Sequence, residues 1–150
     1  MSIAVLFGIT LAFRTYGFNR FVANAQLQEG KSNVVYIARA VAKCAEKKGA
    51  IPPTSRTVPT DLSQVGAKTY ASNEADWSDE AFACDGFRVH DPQRFQYQWE
   101  RKDEHNGVAR ARADFNGDGI VEATFEQELT CETRNGKFRC SPGALHDRAY

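Results

Sequence analysis

The chain has 150 residues, 42% hydrophobic and 25% charged, and its 19 basic and 19 acidic side chains leave a formal net charge of zero. That is one domain's worth of sequence with an ordinary globular balance, and it gives no support for nucleic acid as the main partner. The charge is still polarised: residues 1–50 hold seven Lys/Arg and two Asp/Glu, net +5, and residues 51–150 hold twelve and seventeen, net −5. Such halves either attract one another between copies or are two solvated faces.

Residues 1–49 organise the rest. No proline precedes Pro52, and nearly the whole stretch is helix-compatible. Ile3 to Phe13 is apolar on every side. Beyond it the pattern is amphipathic: Phe18, Phe21, Val22 and Ala25 share one face, and Val34, Ile37, Ala38, Val41 and Ala45 recur at helical spacing. A helix of about 45 residues extends roughly 65–70 Å, more than a chain of this size needs for a core. The stretch therefore reads as a tether or an assembly element. Ile3, Val5, Leu6, Phe7, Ile9, Leu11 and Phe13 are the surface whose burial drives association. Gly8 and Gly17 bracket a segment able to loosen. The apolar run covers about 16 Å of helix, short of a hydrocarbon core of about 30 Å. Ala23-Asn24-Ala25 resembles a signal-peptidase site, yet Arg14 and Arg20 follow the apolar run and no basic residue precedes it, the wrong order for a cleaved signal.

Met1, Gly8, Phe18, Glu29 and Lys31-Ser32-Asn33 stand at spacings that resemble the N-terminal helix of a type IV pilin, and Lys31–Ala38 resembles the passage into its amphipathic half. The resemblance covers roughly the first 45 residues. It implies an α+β fold in which a long N-terminal α-helix, residues 1–49, packs on a small antiparallel β-sheet head, residues 50–150. It further implies a structural subunit of a type IV pilus or pilin-like extracellular filament, a type II secretion pseudopilin included. Such a subunit passes through the inner membrane, assembles through its apolar helix with copies of itself or other pilins, and has no enzymatic activity. The chain departs from the pattern at its start, which falls about six residues late, so the cleavage glycine, the methylated aromatic and the acidic residue after it are missing. The helix-kinking proline of the family falls at Tyr16, beside Gly17, and Arg14 is unusual so near the apolar run. The alternative is an exported, membrane-tethered monomeric binding module, with or without calcium.

After the helix, Gly49 suits the helix end, with Lys47 and Lys48 in the last turn and Pro52-Pro53 beyond. Ala50 to Gly66, with three prolines, predicts a loop wrapping the head. Tyr70 to Glu74 is a candidate short edge strand. Ser78 predicts the N-cap of a short helix ending near Gly86, with Trp77 and Phe82 as its staple. Ala75–Asp79 and Asp91-Pro92-Gln93 with the aromatics after it also resemble the heads of some proteobacterial pilins, a weaker match than the helix.

From Phe87 and Val89 the period changes to two. Phe95, Tyr97 and Trp99 share one strand face, which predicts a surface packed on the second half of the long helix. Asn106-Gly107 marks a turn. Ala109, Ala111 and Ala113 then alternate with Arg110 and Arg112, and Val121, Ala123, Phe125 and Leu129 with outward Glu122, Glu126 and Glu128. Arginines facing glutamates across two strands are favourable. Asn135-Gly136 centres a hairpin in which Cys131 faces Cys140, Glu132 faces Arg139, Thr133 faces Phe138 and Arg134 faces Lys137. The cysteine pair falls at a non-hydrogen-bonded position, with Cα atoms about 4.5 Å apart, inside disulfide range. Cys44 and Cys84 remain, to tie the helix to the head or to stay free, and a chain so crosslinked suits an oxidising destination. Ser141 to Tyr150 shows no clear structure.

One constellation has metal-binding character. Asp114, Asn116 and Asp118 with Gly119 match the opening of a calcium loop, Ile120 supplying a carbonyl and Glu122 a further oxygen. The twelfth position is Phe125 instead of glutamate, and Asp, Asn and Gly also build tight turns for backbone reasons. The expectation is a turn without a cofactor, calcium being the alternative. His90, His105 and His146 are scattered, and no nucleophile motif or phosphate loop occurs, so no enzyme is expected.

Overall fold

The computed structural model describes the backbone of residues 3–149 and the side chains of residues 23–149. Helix α1 runs Ile3–Lys48. It stops at Gly49, whose φ of +76° is open to glycine and whose N–H bonds the Ala45 carbonyl at 2.7 Å. Four strands follow: β1 (Gln96–Arg101), β2 (Asn106–Ala113), β3 (Ala123–Arg134) and β4 (Lys137–Ala149). They form one antiparallel meander in the order β1-β2-β3-β4.

The strands alternate, so one face of the sheet is apolar, and α1 lies on it. Val34, Ile37, Ala38, Val41 and Ala45 of the helix are buried together with Phe95, Tyr97, Trp99, Ala109, Ala111, Ala113, Ala123, Phe125, Leu129 and Cys131. Large residues on β1 sit opposite small ones on β2, Tyr97 against Ala111 and Trp99 against Ala109. Gly30 is the point of closest approach: a Cβ there would come within 2.7 Å of both Phe95 and Phe125. Trp77, Phe82 and Phe87 pack edge-on at one end of this core, with Trp77–Phe82 centroids 5.1 Å apart.

The expected fold class, a long N-terminal helix packed on a small antiparallel head of pilin type, needs correction. The packing that the described side chains carry runs from Leu27 to Ala45 of the helix. The sheet ends in the β3–β4 hairpin, but its last two strands are longer than a small head implies. β3 has 12 residues and β4 has 13, and β4 takes in the stretch from Ser141 that was expected to be unstructured. Pro142 and Gly143 are tolerated there because β4 is an edge strand with a bulge between Gln127 and Leu129.

Other elements also differ. Phe87 to His90 is not a strand, because Phe87 turns in to Trp77 instead of extending β1. Tyr70 makes only a single bridge, to Gln93. Ser78 is not an N-cap: Glu74–Trp77 is a short 3-10 helix capped by Asn73, and a second helical turn, α2 (Glu80–Ala83), follows Asp79. Asn106-Gly107 opens β2 instead of forming a turn. The Asp103 carboxylate makes the preceding turn by accepting from the His105 and Asn106 N–H groups, and Gly107 lies under the Trp99 indole. Val121 lies outside β3, whose inward positions run on through Gln127 and Cys131.

The hairpin register is the one the sequence predicts, from Cys131 with Cys140 to Arg134 with Lys137. Arg110 faces Glu126 across β2 and β3 and bonds both it, at 2.5 Å, and Glu100, at 2.7 Å. The expected Glu132–Arg139 pair does not form: Glu132 pairs with Arg134, and Arg139 reaches Glu46 of α1 at 3.5 Å.

Candidate functional site: the helix–head seam and the Asp114 loop

Several polar contacts line the seam where α1 lies on the head. At its N-terminal end the Glu29 carboxylate accepts from the Arg94 backbone N–H and from the Tyr97 hydroxyl, both at 3.0 Å and both through Oε1. Asn33, one turn on, donates to the Tyr97 oxygen at 2.8 Å. Burial pushes the Glu29 carboxyl above its ordinary range, opposed by these hydrogen bonds and by the Arg94 charge. Burial, and then the Glu29 charge, push the Tyr97 phenol well up. Lys31 pairs with Asp147 of β4 at 2.5 Å while its ammonium sits 5.3 Å from the centre of the Phe125 ring. At the other end Glu46 accepts from the Cys140 N–H at 3.0 Å, and Lys48 pairs with Glu80 at 2.7 Å.

Both disulfides are present. Cys44–Cys84 joins α1 to the residue after α2, and Cys131–Cys140 joins β3 to β4. Cys44 and Cys131 are buried, so one bridge pins the helix end and the other the edge strand.

The Asp114–Glu122 loop spends its oxygens on its own backbone. Buried Asp114 accepts from the Gly117 and Gly119 N–H groups at 2.7 and 2.9 Å. Asn116 accepts from the Asp118 N–H and Asp118 from the Ile120 N–H. Glu122 accepts from the Phe115 and Asn116 N–H groups at 2.7 and 3.2 Å. Ile120 is 67% exposed. Among the described residues no group of three His, Cys, Asp or Glu converges as a metal cage. The arrangement is a carboxylate-capped turn, and Gly117 and Gly119 take φ values of +78° and +87° to make it.

The candidate assembly residues Ile3, Val5, Leu6, Phe7, Ile9, Leu11 and Phe13 lie outside the residues whose side chains are described, as do Phe18, Phe21 and Val22. Among the described residues no helix is long and apolar enough to cross a membrane. Three polar residues at the head's buried joints carry no sequence signal. Ser55 closes the outer edge of β1. Buried Gln93 donates to the Val58 and Phe95 carbonyls at 3.0 and 2.8 Å. Glu46 reaches β4 across 94 positions of sequence. Their partners are distant in the chain, so no local pattern marks them.

No family model matches the chain, and no curated protein or solved structure matches it. The pilin type of the expected fold therefore has no structural counterpart to rest on.

Proposed function

We propose that the chain is a structural subunit of a type IV pilus or pilin-like extracellular filament, exported by way of the inner membrane and assembled through its apolar N-terminal helix. The observation that carries this reading is the helix's division of labour. The sheet's apolar face is filled by helix side chains from Leu27 to Ala45, and the sequence ahead of them holds the uncharged, largely apolar run Ile3–Phe13. Each such side chain removed from water between copies contributes about 1.5–3 kcal/mol before ordering costs. Two disulfides suit a destination outside the reducing cytoplasm.

The test is to isolate surface filaments from cells expressing the full chain and identify this protein in them by mass spectrometry and electron microscopy. Leu6→Asp should abolish the filaments and leave the melting temperature of the head unchanged. Identical filaments from residues 25–150 alone would overturn the reading.

A further inference from the structure

Five Asn-Gly or Asp-Gly steps occur in the chain, beginning at Asp85, Asn106, Asn116, Asp118 and Asn135. Each sets the backbone nitrogen of a residue without a Cβ one position after a side-chain carbonyl carbon. From this arrangement an asparagine amide can close a five-membered imide on its own backbone. The sequence alone does not separate the five steps. The fold does, by what holds the glycine N–H and the side chain before it.

At four of them the atoms are tied down. Gly86 N–H bonds the Ala83 carbonyl at 3.1 Å, and Asp85 pairs with Lys43. Gly117 and Gly119 give their N–H groups to Asp114 at 2.7 and 2.9 Å. The Asn116 side chain accepts from the Asp118 N–H at 2.9 Å and donates to the Asp118 carboxylate at 3.1 Å. Asn106 donates to the Asp103 carboxylate and accepts from the Thr130 hydroxyl, all at 3.0 Å. Gly107 lies in the ladder opposite Leu129, under the Trp99 indole. Asn135-Gly136 is different. Both residues are exposed, on the two-residue turn between β3 and β4. Among the described residues neither the Asn135 side chain nor the Gly136 N–H has a hydrogen-bond partner. A Cβ built on Gly136 would meet nothing within 4 Å. Exposure is not what separates the sites, since Asn116 is exposed as well.

We infer that Asn135 is a site of spontaneous deamidation in the folded protein, while Asn106 and Asn116 keep their amides. The Gly136 nitrogen loses its proton to hydroxide and attacks Asn135 Cγ. The N–Cγ bond forms, the Cγ–Nδ2 bond breaks, and Nδ2 takes a proton from water and leaves as ammonia. Water then opens the imide. Cleavage of the new N–Cγ bond leaves aspartate on an unchanged backbone. Cleavage between that nitrogen and the Asn135 main-chain carbonyl carbon leaves isoaspartate, whose backbone runs through the side chain and is one carbon longer. One water is consumed and one ammonia released, with no change in oxidation state. The turn then carries a carboxylate beside Arg134 and Lys137. The tip from Glu132 to Arg139, with one acidic and three basic side chains, falls from +2 to +1. The Cys131–Cys140 crosslink behind the turn holds the two strands together, so the change stays at the tip. This chemistry is independent of filament assembly.

The test holds the full chain, folded and with both disulfides intact, at mildly alkaline pH. Peptide mapping follows the three asparagines, and isoaspartyl methyltransferase labelling counts the longer backbone. A reduced, denatured sample is carried through the same times. A net hydrogen bond that must break before ring closure slows it about tenfold, so in the folded chain Asn135 should convert at least about tenfold faster than Asn106 or Asn116. In the denatured sample the three should react at similar rates, and isoaspartate should appear at all of them. Conversion of Asn106 or Asn116 in the folded chain as fast as that of Asn135 would overturn the inference. So would an Asn135 amide that survives in the folded protein after all three have been lost from the denatured one.

Discussion

Along β1, the backbone groups pointing away from β2 have partners in the Pro52–Pro59 stretch. Tyr97 and Val58 exchange both N–H···O bonds at 2.8 Å. Trp99 receives the Ser55 N–H at its carbonyl, at 2.9 Å, and gives its own N–H to the Ser55 hydroxyl at the same distance. Arg101 N–H finds Thr54. Along β4 the outer side is treated differently. Cys140 N–H is taken by Glu46, Pro142 has no N–H to offer, and residues 141–149 are exposed. One edge is closed by pairing, while the other is blunted by a proline, a capping carboxylate and the charges of Lys137, Arg139 and Arg148. A strand edge is thus made safe either by filling its hydrogen bonds or by spoiling them. The first method also buries side chains, so most of the stability should lie on the β1 side.

Four variants test that contrast, and a fifth variant and a calcium addition test the seam and the Asp114 loop. Trp99→Ala removes a fully buried indole whose N–H bonds the Pro52 carbonyl at 3.2 Å, and should cost about 3–5 kcal/mol in denaturant unfolding. A loss under about 1 kcal/mol would mean that the β1 side is not the anchor. Replacing Cys131 and Cys140 together by serine opens a crosslink across nine positions and should cost about 3 kcal/mol. Hydrogen exchange should rise first in β4, and protection unchanged there would show that β4 is held by other contacts. Ser55→Ala leaves the buried Trp99 N–H without its acceptor and should cost about 1–2 kcal/mol. Leu145→Ala on the open strand should stay within about 0.5 kcal/mol, and equal losses at the two sites would erase the difference between the edges.

Glu29→Gln probes the seam by pH. Burial raises the folded-state carboxyl pKa, so the stability that its proton carries is fully present below the ordinary value of about 4.3 and is lost as pH rises through the raised value. Glutamine cannot ionise, so the variant should melt above the parent at neutral pH, and the gap should close in acid. A gap that is constant with pH would contradict the assignment. The smallest effect expected is at the Asp114 loop, where millimolar calcium should leave the melting temperature of the chelator-treated protein unchanged. A calcium-dependent rise lost in Asp118→Ala would show that the loop exchanges its backbone bonds for an ion.

Local chemistry settled the parts of this protein that depend on neighbours in sequence. Asn135-Gly136 set the hairpin register and so brought Cys131 to Cys140, because a two-residue turn leaves one pairing for every residue after it. Alternation placed Phe95, Tyr97 and Trp99 on one face and Ala109, Ala111 and Ala113 beside them. Helical spacing chose Val34, Ile37, Val41 and Ala45 as the surface that covers them. Packing between distant segments decided the rest. Phe87 left the strand pattern because Trp77 and Phe82 gave it a better burial. Ser141 to Ala149 became strand because β3 was long enough to pair it. Asp114 and Glu122 turned to their own loop's amides, and Ser55 and Glu46 became edge caps only once the fold brought β1 and β4 to them. Backbone donors and acceptors have to be satisfied wherever they are buried, and only the assembled structure decides which side chain is near enough to do it.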